Sequence, residues 1–281
     1  MRKAYLIPLI IFALTWVSCE KFALEESSET GDVSESNGNV TLQINDTEKS
    51  FCKRFTFSIF RNGAKVKNLH QTQASANFGK VTFALNEGEY QVVVIGHNGE
   101  GNATISTPEK ITFYNYKTTD TFYHYSTLDV TEENITKTIT PQRATGMLVL
   151  HIKDAIPTTA KSIKFYYTGG SSTLDATTGY GCVNSRQTEE REINPQQKDY
   201  TIYTFPHSSG KKLNVNITVY NQKGETIVTK DLKDIEIKQN NVTTCSLNLF
   251  GGKEDGSSID VTFDPTWDGY ISNCSKLILQ I

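Results

Sequence analysis

Only two methionines, two tryptophans and seven prolines occur in 281 residues, and no stretch places its apolar residues at helical spacing. No amphipathic helix is therefore expected. A surplus of positive charge is missing as well: 28 Lys and Arg stand against 31 Asp and Glu, a formal charge of −3. Without spare cations to neutralise phosphates, the chain is not expected to bind nucleic acid. Mean hydropathy is −0.40, which excludes a protein of many membrane spans. The ligand spacings of a metal site (H-x-H, H-E-x-x-H, C-x-x-C) do not occur. There is no G-x-S-x-G elbow, and Gly99-Glu100-Gly101 lacks the third glycine and the helix that a phosphate cradle needs. His70, His97, His124 and His151 recur every 27 residues, but their neighbours share nothing. The reading is a non-enzyme without metal or cofactor.

What is present begins with an address. Met1-Arg2-Lys3 precedes an apolar run from Ala4 to Val17, too short for the ~20 residues of a spanning helix but the size of a secretory core. Ser18-Cys19 then has the pattern of a bacterial lipoprotein cleavage site. Cleavage between them would leave Cys19 as the first residue, carrying diacylglyceryl and N-acyl groups that anchor it in the outer membrane. Residues 19–39 carry six acids against one Lys, a composition that cannot bury enough surface to fold and reads as a disordered tether.

From Val40 the period is two. Val40–Ile44, Phe55–Phe60, Val81–Leu85 and Tyr90–Ile95 alternate or run apolar, with Asn62-Gly63, Glu87-Gly88 and Lys223-Gly224 as turns. Further strands are expected at 111–114, 122–125, 128–130 and 135–140. A second set is expected at 147–152, 163–167, 200–205, 213–220, 227–232, 235–237 and 242–250. Hydrophobic residues at 37% suffice for a core, and ~150 residues per domain gives about two domains. The expected plan is all-β. A signal peptide occupies 1–18 and a lipidated acidic tether 19–39. An N-terminal β-sandwich fills 40–140, a C-terminal one 141–250, and 251–281 form a hinge and strand tail.

Four blocks carry a family likeness: LNEGEYQVVVIGHNGEGNATI (85–105), RATGMLVLHI (143–152), FYYTGGSSTLDATTGYGCVNS (165–185) and IEIKQNNV (235–242). Together with the lipoprotein start they resemble the FimB-like fimbrial subunits of Bacteroidales. The resemblance implies two transthyretin-like sandwiches and an outer-membrane-anchored accessory role in a type V pilus, with other fimbrial subunits as partners. It also implies an assembly in which stalk subunits lose an N-terminal strand to an Arg-specific protease. Here no Arg lies between Cys19 and Arg54, so the chain is expected to keep its first strand as an anchor would.

The tail holds the candidate functional residues. Ile259, Val261 and Phe263 alternate with polar residues, and Leu277, Leu279 and Ile281 repeat the device. Such strands can be donated to a neighbour, since main-chain bonds pair the edge and alternate side chains fill a groove. They can equally complete their own sandwich, with Trp267 as a plug. Cys52, Cys182, Cys245 and Cys274 allow three pairings, and at most one disulfide is expected, with Cys52 and Cys245 otherwise packing as core thiols. Tyr114/Tyr116, Tyr123/Tyr125 and Tyr166/Tyr167 are either cross-strand packing or a sugar platform, the latter fitting an alternative role as a surface glycan-binding lipoprotein. The Gly/Ser/Thr-rich loop Thr168–Gly181 is a candidate partner surface or a wide turn.

Overall fold

Alternating side chains settle the architecture because each strand offers one face to a core and one to its surroundings. The computed structural model describes residues 37–251, 260–265 and 267. All of these belong to one compact unit. Ser18, Cys19, Ile259, Cys274, Leu277, Leu279 and Ile281 lie outside the described residues.

The first half holds β1 (Asn37–Ile44), β2 (Arg54–Arg61), β3 (Ala64–Thr72), β4 (Lys80–Asn86) and β5 (Gly88–His97). It continues with β6 (Thr104–Thr107), β7 (Lys110–Thr112), β8 (Thr121–Val130), β9 (Ile135–Ile139) and β10 (Gln142–Arg143). The second half holds β11 (Gly146–Ile152), β12 (Ala160–Thr168), β13 (Arg186–Glu192) and β14 (Asp199–Thr204). β15 (Leu213–Asn221), β16 (Thr226–Ile235), β17 (Val242–Leu247) and β18 (Asp260–Asp264) complete it.

Two sandwiches result, as the pattern implied. In the first, the sheet β4-β1-β9 faces the sheet β10-β8-β5-β2-β3 across a core containing Val40, Leu42, Phe55, Phe57, Phe83 and Val92. In the second, β14-β11-β17-β18 faces β13-β12-β15-β16 across Leu148, Leu150, Phe165, Tyr200, Ile217 and Cys245. The halves repeat one plan. β1 lies between antiparallel β4 and parallel β9, and β11 lies between antiparallel β14 and parallel β17. The apolar run of β5 has its reason: that strand is central in its sheet and covered on both faces, so no polar face is needed.

The second cover is a layer between the sandwiches. Phe60, Val93 and Ile95 on the outer face of the β5 sheet meet Ile105, Ile111 and Phe113 of the β6–β7 hairpin region, together with Leu174, Ala176 and Phe205 of the second half. Each such buried side chain is worth about 1.5–3 kcal/mol. The loop Thr168–Gly181 is thus largely interior: Ser171, Ser172, Thr173 and Leu174 are all buried. Its buried part is held inside, where Leu174 exchanges backbone hydrogen bonds with Ile111 at 2.9 Å in both directions, while Thr177 and Thr178 stay exposed. Gly169 permits the entry to the loop, with φ of 94° and the Lys212 carbonyl against the place a Cβ would take.

Strand edges depart from expectation where burial is low. β3 and β13 were not expected, and both are sheet edges. β3 is mostly exposed and β13 is polar on both faces, so neither carries a period-two apolar signal; their main-chain bonds alone make them strands. β1 begins at Asn37, reaching back past Val40, because Asn39 and Gly38 pair with Ala84 and Leu85 through the backbone. β17 ends at Leu247 rather than Phe250: the Asp154 carboxylate accepts from the N–H groups of Leu249, Phe250 and Gly251 at 2.7–2.9 Å and turns the chain. The short helix α1 (Asp46–Ser50) buries nothing and starts at Asn45, whose Oδ1 accepts from Glu48 N at 3.1 Å.

Candidate functional site

The chain's first strand is built into the fold. Val40, Leu42 and Ile44 are at most 1% exposed, and β1 has a strand of its own chain on either side. Taking it away would leave a groove between β4 and β9 floored by the first core. Arg54, the first Arg after Cys19, sits on β2 with its backbone paired to Thr72 and His97. Its Nε donates to the Gly99 carbonyl at 3.2 Å. A peptide bond paired on both sides cannot extend into a protease cleft.

The last described strand is attached differently. β18 pairs antiparallel with β17, placing Val261 opposite Cys245 and Phe263 opposite Thr243. Paired residues share a face, so both point toward the side of the sheet that carries the core. Yet Val261 is 40% and Phe263 47% exposed, and neither joins the core between the sheets. The Lys153 ammonium reaches the Asp260 carboxylate at 2.5 Å, and that of Lys238 lies 5.6 Å from the Phe263 ring centre. Beyond β18 its sheet has no further strand among the described residues.

Trp267 does act as a plug. It is 2% exposed and packs on the opposite face of the sheet with Met147, Val149 and Val242, stacked on Tyr203 with ring centres 6.0 Å apart. It also covers Arg143, whose guanidinium carbon lies 4.3 Å from the indole centre and 4.6 Å from that of Phe122. Held between two rings, Arg143 donates from Nε and Nη2 to the two carboxylate oxygens of Asp120 at 2.8 and 3.3 Å. Nη1 donates to Asn240 Oδ1 at 2.9 Å. Burial raises the Asp120 carboxyl above its ordinary value although the Arg143 charge pulls it down. One arginine therefore ties the first sandwich, the second sandwich and the tail.

This node explains the four sequence blocks. Arg143 opens one, Asn240 stands in another, and Gly179 of a third accepts from the Gln239 amide. The remaining block supplies β5 and the buried Ala103 and Ile105. Each block thus sends some residues to the junction, while others, such as Tyr90, Leu148, Leu150 and Phe165, pack in the sandwich cores. Sequence reading missed Asp120 and the bridging role of Arg143; a basic residue just before the strand-like Met147–Ile152 was the available signal.

Among the described residues no cluster of three His, Cys, Asp or Glu could hold a metal, and no helix is long and apolar enough to cross a membrane. His97 is buried, its Nδ1 accepting from Gly99 N at 3.0 Å and its ring edge-on to Phe113. Desolvation, aided by the Arg54 charge, lowers it to about 4. Cys52 and Cys245 are buried free thiols and Cys182 an exposed one; burial pushes Cys245 up to about 11. Tyr123, Tyr125 and Tyr167 pack inward, whereas Tyr114, Tyr116 and Tyr166 are exposed.

A family model described as a family of unknown function, DUF6562, matches residues 21–280. The chain belongs to that family. Among solved structures it is similar to a candidate adhesin from Bacteroides ovatus ATCC 8483, with a TM-score of 0.53 and 12% identity over 72% of this chain and 86% of that one. A candidate adhesin from Bacteroides thetaiotaomicron VPI-5482 superposes with a TM-score of 0.50 and 12% identity, covering 82% and 96%. The fimbrial anchor protein Mfa2 from Porphyromonas gingivalis aligns more loosely, at 0.45 and 12% identity over 82% and 98%. At such identities the likeness is one of fold. No curated protein matches the chain.

Proposed function

We propose that this chain is an accessory subunit of a fimbria that tethers or terminates the fibre at the outer membrane, held there by acyl groups on Cys19. The sequence resemblance supplies the class, and the fold shared with candidate adhesins is compatible with it. The observation that carries the reading is β1. A subunit inside the fibre must open a groove for the next one. This chain closes that groove with its own Val40, Leu42 and Ile44 and keeps Arg54 inside a sheet. It ends the series because its own first strand fills the groove that a subunit inside the fibre would open.

The tail makes the contact to the neighbour. Ile259, Val261 and Phe263, or Leu277, Leu279 and Ile281, enter the neighbour's groove with main-chain pairing along its edges. Val261 and Phe263 can do so without emptying their own core, since neither is buried. Replacing Leu277, Leu279 and Ile281 by Ser tests the donation. Expected are an unchanged melt and fimbriae that no longer stay with the cells after shearing. A lowered melt, or fimbriae retained as before, refutes donation by that segment. Fatty-acid labelling tests the anchor: the natural chain should be marked and Cys19→Ala should not.

A further inference from the structure

A cleft of about 840 Å³ with a mixed polar and apolar lining opens between the turn after β7 and the outer strand β13. It shares Asn115 and Lys117 with a hollow of about 330 Å³, and Asn184, Ser185 and Arg186 with another of about 310 Å³. The three form one groove along the junction of the sandwiches.

The groove reverses the sign of the molecule. Lys110, Lys117, Arg186 and Lys211 line it, and none makes an ion pair among the described residues. The chain as a whole carries −3. Its carboxylates are in part already engaged. Glu189 takes Arg191 at 2.6 Å and the Tyr167 hydroxyl at 2.7 Å, and Glu190 takes Ser162 Oγ at 2.7 Å; Glu100 lies in the outer hollow. Four cations outside any ion pair among the described residues, with Lys211 Nζ donating to Asn184 Oδ1 at 2.6 Å, concentrate an anionic ligand there.

Aromatic rings stand at the rim. Tyr114 and Tyr116 are 55% and 63% exposed, on a turn where Asn115 and Tyr116 both hold left-handed backbone, at φ of 52° and 54°. Two consecutive non-glycine residues rarely adopt that conformation. The Gln187 amide fixes it by donating to the Tyr116 carbonyl at 3.0 Å, and Gln187 Oε1 is left buried with no protein partner, an acceptor in want of a donor. Rigid tyrosines give contact area at little cost in entropy. The walls between are hydroxyls and amides: Thr112, Thr188, Ser185, Asn115 and Asn184.

We infer that this groove binds an acidic polysaccharide, whose carboxylates or sulfates meet the four cations and whose ring faces lie on Tyr114 and Tyr116. An acidic peptide is the competing occupant; polyhydroxylated rings match the amide and hydroxyl groups of the walls, and their apolar faces match Tyr114, Tyr116 and the exposed Val183.

Calorimetric titration of the full chain in detergent tests this with three probes: oligogalacturonate, neutral dextran of equal length, and polyglutamate. Oligogalacturonate should bind best, with an affinity that falls as salt rises. The double variant Lys110→Gln/Lys117→Gln should weaken it by about tenfold and flatten the salt dependence. Tyr116→Ala should weaken it several-fold and leave the salt dependence as it was. These positions are exposed, and a melt matching the natural chain shows that each variant folds; Lys211→Gln, at the far end, serves if one does not. Dextran binding as tightly, polyglutamate matching oligogalacturonate with Tyr116→Ala silent, or no binding of any probe would each overturn the inference.

Discussion

β1 and β18 both alternate apolar with polar residues, yet Val40, Leu42 and Ile44 are no more than 1% exposed while Val261 and Phe263 remain 40% and 47% exposed. Among the described residues β1 has two neighbours from its own chain and β18 has one. The same pattern serves two ends because burial depends on what lies across the sandwich, not on the strand itself. A strand between two partners over a full core is part of folding. A strand whose apolar side chains stay outside that core is an attachment that can pair elsewhere. Trp267 is the exception within the tail: buried against Met147 and Arg143, it fixes one point of that segment to the fold.

Substitutions should rank accordingly. Leu42→Asp buries a charge in the first core and should cost more than about 4 kcal/mol, enough to abolish a cooperative transition in urea. Arg143→Met leaves the Asp120 carboxylate buried without its partner, at about 3–5 kcal/mol. Asp120 binds a proton more readily in the fold than in the unfolded chain, because burial raises it. Acidification should therefore return part of what Arg143→Met loses, and urea melts at two pH values check this. If Arg143→Met proves as mild as a surface change, the junction is not held by this node.

His97 gives a pH signature of the first sandwich alone. Its folded value near 4 lies below the ordinary ~6.5 of the unfolded chain. The fold thus holds fewer protons there, and stability is lost as pH falls from about 6.5 to 4, on the order of 3 kcal/mol in all. The difference in unfolding free energy between the natural chain and His97→Gln, followed across that window, should shift by this amount and stay level above it. The smallest effect belongs to β18: Phe263→Ser should change stability by less than about 1 kcal/mol. A loss comparable to Leu42→Ala, at about 2–5 kcal/mol, would erase the distinction between the two ends.

Much of this fold could be read from sequence wherever a strand has one dry face. Phe55–Phe60 and Tyr90–Ile95 are such strands, and the Asn62-Gly63 turn adopted the left-handed backbone those residues favour, at φ of 51° and 76°. β13 escaped because polar Gln187, Glu189 and Arg191 take its half-buried positions at a sheet edge, Arg191 pairing with Glu189 and Gln187 reaching the Tyr116 carbonyl, and charges so placed also discourage edge pairing. The burial of much of the loop at 168–181 was not legible because glycine and serine usually mark surface, whereas here Leu174 and Ala176 pack with Phe205 and Ile111. Arg143 escaped for a different reason: its partners stand 23 and 97 positions away in sequence, and a basic residue before a strand does not by itself say what it will meet. The basic groove likewise gathers residues from 110 to 211 that only the junction brings together.

The central claim is that β1 stays with the chain in the assembled fimbria. Intact-mass spectrometry of the protein recovered from fimbriated cells measures this directly. The account predicts a single mature species that begins at Cys19, carries the mass of its acyl groups and includes every residue of Asn37–Ile44. A species whose amino terminus lies beyond Ile44 would contradict it, since the groove between β4 and β9 would then be open to a neighbour's strand.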